Sequence, residues 1–512
     1  MAESRTKYVF KNLSVGIGCE IFNSVLGFIL RYFFILYLGI EYLGVNGLFS
    51  NILQFLSLIE LGVGSAIVYR LYAPLKNKDI ELLKSLMQLY RIAYTWIGMV
   101  VLFLGLLLTP FIPYLIKGNS QIQESLYLIY ALFVINSGIS YFFVYKQSLI
   151  IADQKNYIVS LIRQGMKLLQ SIAQIVILIV FKDFIAYLIL GIIFTLAINI
   201  IISIKANQLY PFLRDKNIQS YGQEQRKGLF SDVKSVMIFK TGYIILNNAN
   251  NIVLSLFLGI TYVGLGSNYF LITAALEIVV VQIFNAFTAS VGNYNVSQTT
   301  DEKWKLFRQL NFILTLLCGL LYGGALLFSD SFINLWIGDE YALQTLSAAS
   351  IMLYMFLKNS GSVGYMFRTT QGAFKQVRYL PITISIIHSG LAILLVNWIG
   401  FAGVFISASL AMIFLNFYDG LTVARVSGFK FRNVAIMWLK LTFYVLVSIS
   451  IAWYVSSLII ALSNDWFLFV SKVFCFIFLY IISVVLISYK TSNSCKELIG
   501  RLKGISKLIS RN

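Results

Sequence analysis

Apolar runs of about 20 residues recur from one end of the 512-residue chain to the other, each long enough, at about 1.5 Å per residue, to cross a hydrocarbon layer about 30 Å thick. Inside lipid the backbone must satisfy its own hydrogen bonds, so such runs fold as helices or as a closed barrel. The alternating polar and apolar residues of barrel strands are absent. The sequence therefore predicts an all-α polytopic membrane protein. Composition agrees: 59% of residues are hydrophobic and 12% charged, against roughly 45–50% and about 25% in soluble chains.

The runs mark about fourteen helices. The expected organisation is an N-lobe of six helices over residues 1–204, a basic cytoplasmic linker over 205–234, a C-lobe of six over 235–434, a final helix pair over 435–489 and an amphipathic tail over 490–512. In that tail Leu498, Leu502, Ile505 and Ile509 recur at helical spacing with Lys496, Lys503 and Lys507 between them, a pattern suited to lying on anionic lipid.

A formal charge of +19 could indicate a nucleic-acid partner, but its distribution gives another reason. Of forty Lys and Arg, 31 fall in segments on the side of the N-terminus, Arg5, Lys7, Lys11, Arg308 and Arg368 among them, and only Lys117 and Lys182 on the other. This bias places both termini in the cytoplasm, and no nucleic-acid partner is implied. The first span lacks a small-residue cleavage site and reads as a retained helix. Cys19, Cys318, Cys475 and Cys495 are scattered without metal-ligand or redox spacing.

The chain also repeats itself. Leu38 to Gly44, LGIEYLG, returns as LGITYVG at Leu258 to Gly264, an offset of 220. Phe111-Ile112 returns as Phe332-Ile333, Asn136-Ser137-Gly138 as Asn359-Ser360-Gly361, and Tyr157 as Tyr379, at offsets of 221, 223 and 222. Four matches in order at nearly constant offset indicate duplication. Six helices per copy is an even number, so the copies run parallel and relate by an axis along the membrane normal. Two such lobes suggest a transporter working by alternating access.

Seven basic residues remain within spans. Ionisable groups at that depth cost at least about 2.5 kcal/mol each and normally face a wet cavity or a partner. Glu20, Asn23 and Arg31 share one face of the first helix; Ser160, Arg163, Lys167, Gln170 and Gln174 share one face of the fifth; Lys240, Asn247 and Asn251 mark the seventh, and Tyr354 and Lys358 the tenth. Asn51 and Gln54 add polar groups to the second. A single Asn or Ser stripe also serves as a seam between helices, but Arg163 and Lys167, one turn apart, repel unless water or an anion screens them. Arg31, Arg163, Lys167, Lys240 and Lys358 are the candidate cations of a central cavity, with Glu20, Asn23, Asn51, Gln54, Gln170, Asn247 and Asn251 as its polar lining. A cationic excess suits a phosphate or pyrophosphate, and amides suit sugar hydroxyls. Glu60 and Glu277 are candidate coupling sites for a proton or sodium ion. Lys440 and Lys472, near span ends, are expected to snorkel, and His388 to hydrogen-bond in the core. No Walker loop, metal cluster or nucleophile with a base occurs, so neither catalysis nor a cofactor is expected.

These residues carry a family resemblance. The basic N-terminus and first span through Arg31, LGIEYLG with the following Gly62-Val63-Gly64-Ser65-Ala66, Arg163 with Lys167, and Phe332 to Gly338 resemble the polysaccharide transporter branch of the MOP (multidrug/oligosaccharidyl-lipid/polysaccharide) exporter superfamily, in particular the Wzx-type flippases of O-antigen and capsule repeat units. The resemblance covers nearly the whole chain. It implies a multi-pass protein of the bacterial inner or plasma membrane that moves undecaprenyl-diphosphate-linked oligosaccharide to the outer leaflet, beside membrane lipids and a polysaccharide polymerase or chain-length machinery. In the related lipid II flippases cavity arginines meet the pyrophosphate, and Arg31 is the best counterpart. The eighth helix here carries Glu277 and no cation, so a full arginine cluster of that type is not present. Two alternatives remain: a MATE-like cation-coupled drug or metabolite antiporter, and a membrane-embedded polymerase or glycosyltransferase.

Overall fold

The computed structural model describes residues 5–60, 63–117, 122–215, 241–242, 244–246, 248–297, 299–373, 375–377, 379–459, 465–492 and 494–497. All regular structure among them is helical. Among the described residues ten helices, or eleven if the bent pair Leu126–Phe142 and Val144–Ala152 is one span, are long and apolar enough to cross a membrane. The sequence leads to about fourteen, and three of the expected runs explain the difference. The second is broken by a 3-10 turn at Ser57–Glu60, the tenth is broken at Gly361, and the seventh is described as a helix only over Ile244–Leu258.

The chain divides into two compact units, Met1–Ser267 with Pro381–Ser385, and Asn268–Leu380 with Ile386–Asn512. The first contains α1 (Arg5–Leu38), α2 (Ile40–Leu56), α3 (Val63–Asn77), α4 (Ile80–Leu107), α5 (Leu126–Ala152), α6 (Asn156–Val180), α7 (Phe184–Leu209), α8 (Ile244–Leu258) and the start of α9 (Ile260–Ser297). Two of its helices begin where a side chain satisfies an orphan amide of the first turn: Asp79 accepts from Leu82 N at 3.0 Å for α4, and Asp183 from Ala186 N at 3.0 Å for α7. Helix α4 packs on α5, α5 on α7 and α1 on α6. Tyr90, Tyr94, Ile97, Val101, Tyr141 and Leu149 form part of one buried cluster.

The repeated LGI[ET]Y[LV]G motif shows why its glycines are needed. Gly39 (φ 91°) ends α1 and Gly259 (φ 97°) ends α8, both in the left-handed region that side chains disfavour. The last glycine of each copy meets the other copy's isoleucine: a Cβ on Gly44 would lie 2.0 Å from the Ile260 carbonyl oxygen, and one on Gly264 2.4 Å from that of Ile40. The contact is reciprocal, since both partners differ by the repeat offset of 220.

The second unit contains the rest of α9, then α10 (Thr300–Ile337), α11 (Thr345–Ser360), α12 (Ser362–Thr370), α13 (Leu380–Ile399, its first turns excepted), α14 (Phe401–Ser427), α15 (Phe431–Ile459) and α16 (Trp466–Thr491). Thr299 and Glu302 form a reciprocal capping box at the start of α10. This helix packs on α11, α15 and α16, while α14 packs on α11. On α16, Phe467, Phe474, Phe478 and Leu486 point outward, 65–75% exposed. Bare aromatic stripes of that kind are coherent only with lipid as solvent, and the chain is a multi-pass membrane protein.

Two charged residues, Arg368 and Lys472, sit differently from the sequence expectation, while Lys440 and His388 sit as expected. Arg368, assigned to a cytoplasmic connection, lies on α12 and is 1% exposed, its Nε 2.8 Å from Asp419 Oδ1 on α14. Lys472 is buried at 3% rather than snorkelling. Lys440 is exposed on α15. His388 is fully buried, its Nδ1 2.9 Å from Ser407 Oγ.

Candidate functional site

A cavity of about 540 Å³ lies within the first unit. Its polar walls come from helical periodicity. On α2 and the 3-10 turn after it, Asn46, Ser50, Gln54 and Ser57 fall at i, i+4, i+8 and i+11, and on α6 Lys167, Gln170, Ser171 and Gln174 fall at i, i+3, i+4 and i+7. Helix α5 adds Asn136, Ser137 and Tyr141, and α7 adds Tyr187 and Gly191. A Cβ on Gly191 would lie 3.7 Å from Gln174 Nε2 and 3.8 Å from Gln170 Nε2, so the small residue leaves room for both carboxamides beside α7.

Among the described residues the lining holds one cation, Lys167, and no carboxylate. Among the described residues no acid pairs with Lys167, and Asn136 Oδ1 is buried without a hydrogen-bond partner. Gln174 Nε2 donates to the Tyr187 carbonyl at 3.3 Å. A low-dielectric recess with a fixed positive charge and several amides and hydroxyls favours an anionic or polyhydroxylated guest and disfavours a cation.

Glu60 lies just outside this lining, on the turn that breaks the second span. Tyr94 Oη donates to its Oε1 at 2.6 Å, and Tyr141, itself a wall of the cavity, lies within electrostatic reach of it. The Tyr94 ring meets that of Tyr90 edge-on, centroids 4.7 Å apart, and Tyr90 Oη lies 2.9 Å from Ser148 Oγ.

The other residues singled out in the sequence are dispersed. Arg31 donates from Nη1 to Ser267 Oγ at 2.7 Å and lies within electrostatic reach of Tyr187. Arg163 Nη2 donates to Gln147 Oε1 at 2.6 Å, and Gln164 Nε2 to Asn23 Oδ1 at 2.9 Å. Glu20 is exposed on α1. Asn51 turns back to donate to the Gly47 carbonyl at 2.6 Å, so of the two α2 residues chosen only Gln54 faces the cavity. Asn251 is half-buried on α8, while Lys240 and Asn247 lie outside the described residues. In the second unit Lys358 Nζ is 3.0 Å from Glu277 Oε1, so that pair supplies neither a free cation nor a free acid. Of the polar residues named from sequence, the cavity brings together Gln54, Lys167, Gln170 and Gln174. Asn46, Ser50 and Ser57 were missed although their spacing was available; Tyr141 and Tyr187 carry no such signal, because tyrosines are equally at home in a core. Among the described residues no group of three His, Cys, Asp or Glu side chains is placed to hold a metal ion.

No protein-family model and no curated protein sequence matches the chain. Solved structures do. The inward-facing conformation of a multidrug-resistance MATE family transporter of the MOP superfamily superposes with a TM-score of 0.65 at 15% identity, over 80% of this chain and 96% of that one. The lipid II flippase MurJ in an inward closed conformation gives 0.62 at 15% identity, over 92% and 98%. A MOP superfamily transporter from Pyrococcus furiosus, described as having a binding pocket of reversed polarity that suggests a different function, gives 0.53 at 14%, over 81% and 95%. The chain thus shares the fold of MOP superfamily transporters. These neighbours are transporters and flippases, not enzymes, and include both drug and lipid carriers.

Proposed function

We propose that the chain is a flippase for a lipid-linked saccharide: it carries an undecaprenyl-diphosphate-linked oligosaccharide repeat unit of an O-antigen or capsule from the cytoplasmic to the outer leaflet by alternating access. The observation that carries this reading is the acid-free polar cavity with Lys167 on its wall. Its volume falls within the roughly 300–1,000 Å³ of ligand pockets. Lys167 is a point charge for a phosphate oxygen, and Asn46, Gln54, Asn136 and Gln170 offer donors and acceptors to sugar hydroxyls. The basic asymmetry of the connections supports fourteen crossings with both termini in the cytoplasm of a bacterial cell, where such lipids are made. Arg31, Arg163 and Lys240 are assigned to guiding the anionic headgroup, and the polymerase or chain-length machinery to consuming it outside.

In a strain lacking the chain, surface polysaccharide is expected to disappear and to return with wild type. It should not return with Arg31→Ala or Lys167→Ala proteins of equal abundance. Equal rescue by both variants overturns the charge mechanism.

One observation favours a second reading. A carboxylate that accepts from Tyr94 and lies within electrostatic reach of the cavity wall at Tyr141, as Glu60 does, suits a cation-coupled antiporter of drugs or metabolites. Efflux of a cationic dye that depends on Glu60 and not on Lys167 would select it.

A further inference from the structure

A second recess, about 290 Å³, opens in the second unit where the start of α10, the start of α15 and the end of α16 meet. It plays no part in the proposed transport cavity. Among the described residues two cations line it, Arg308 and Lys440, and no carboxylate does. Two cations on one small recess repel unless an anion screens them. Arg308 is partly met by Glu497, which follows α16: Arg308 Nη2 is 3.3 Å from Glu497 Oε1, Lys305 Nζ is 3.7 Å from the same oxygen, and Gln309 Nε2 donates to Oε2 at 2.6 Å. That carboxylate leaves Arg308 Nε buried without a partner, and Ser494 Oγ, also on the wall, is equally unpartnered among the described residues. Lys440 has no carboxylate partner among the described residues either.

The walls indicate the direction from which an anion arrives. Phe312, Ile436, Met437 and Leu441 form the apolar side, and on the same helix as Lys440 the side chains Ile436, Leu439 and Phe443 are 39%, 72% and 58% exposed, a surface that faces hydrocarbon. The polar side is made by Arg308, Lys440 and the hydroxyls at the end of α16. A guest with a phosphate at one end and acyl chains at the other matches both sides. Basic pockets between helices at the cytoplasmic interface take lipid headgroups in this manner.

We propose that this recess is a binding site for the phosphate of an anionic membrane lipid. Arg308 Nε and Lys440 Nζ hold the phosphate oxygens, Ser494 Oγ donates to it, and the tail carboxylate of Glu497 competes with it for the Arg308 guanidinium. Glu497 is therefore a tether that lipid loosens.

The test uses purified full-length chain in detergent and equilibrium binding by native mass spectrometry. The probes are dioctanoyl phosphatidylglycerol, dioctanoylglycerol, which lacks phosphate, and inorganic phosphate. Expected are saturable binding of the phosphatidylglycerol alone and an affinity about five- to tenfold weaker in Lys440→Gln, from the loss of one charge near the interface. Binding should tighten in Glu497→Gln, which removes the competing carboxylate. Lys440 is exposed, so its variant keeps the fold, and gel filtration checks this. Equal binding of dioctanoylglycerol, displacement by inorganic phosphate at matched concentration, or an unchanged affinity in Lys440→Gln each overturns the proposal.

Discussion

Lys358 on α11 and Glu277 on α9 form an ion pair, Nζ to Oε1 3.0 Å, with both side chains mostly withdrawn from solvent. The pair joins residues 81 positions apart and turns two groups that look functional in the sequence into a mutual neutralisation. Breaking it leaves one charge stranded. Glu277→Gln is expected to lower stability by about 1–3 kcal/mol, less than the ~3–5 kcal/mol of a fully buried pair because some exposure remains. Exchange of the two, Lys358→Glu with Glu277→Lys, should recover most of that loss. Thermal unfolding of the purified variants measures it; a Glu277→Gln protein of unchanged stability that has lost transport would instead make Glu277 a coupling group.

Arg368 and Asp419 are buried more deeply, at 1% and 3% exposure. Arg368→Ala or Asp419→Ala each breaks the buried pair between α12 and α14 and should cost about 3–5 kcal/mol, a large share of the roughly 5–15 kcal/mol that holds a typical domain folded. Fluorescence-detected gel filtration should show loss of the monodisperse species for either single change. Replacement of both by leucine and methionine should restore much of it.

The reciprocal Gly44 and Gly264 contacts predict a graded series. Gly44→Val places a Cβ against the Ile260 carbonyl and should reduce the folded yield severely. Gly165→Ala on α6, where nothing lies within 4 Å of the new methyl, should be neutral or stabilise by up to about 1 kcal/mol. Equal behaviour of the two in a thermal melt would remove the close approach as the reason for the motif.

Much of this architecture was readable from the chain because lipid imposes a single rule on length and polarity. The runs of α1, α4, α6 and α16 announce themselves, and the positive-φ turns at Gly39 and Gly259 follow from one repeated heptapeptide. The breaks did not show: Ser57–Glu60 and Gly361 interrupt apolar runs whose composition barely changes. Pairings across long separations were equally hidden. Periodicity places Lys358 and Glu277 on helix faces but not opposite each other, and Arg368 has the flanks of a loop residue. The cavity was half legible. The α6 stripe through Lys167, Gln170 and Gln174 was visible as a polar face; Tyr141 joins it from α5, where a tyrosine in an apolar run gives no polar signal.

The sign of the charge in the first unit's cavity is the central claim, and the most direct measurement is ligand selectivity at Lys167. Binding of a short polyprenyl-diphosphate glycan and of a cationic dye should be compared by fluorescence titration on wild type, Lys167→Arg and Lys167→Gln. Wild type should prefer the anionic glycan, Lys167→Arg should keep most of that preference, and Lys167→Gln should lose about tenfold in affinity for it, the ~1.4 kcal/mol of one partly solvated charge contact. Glycan binding unaltered in Lys167→Gln, or tighter binding of the dye by wild type, would contradict the account.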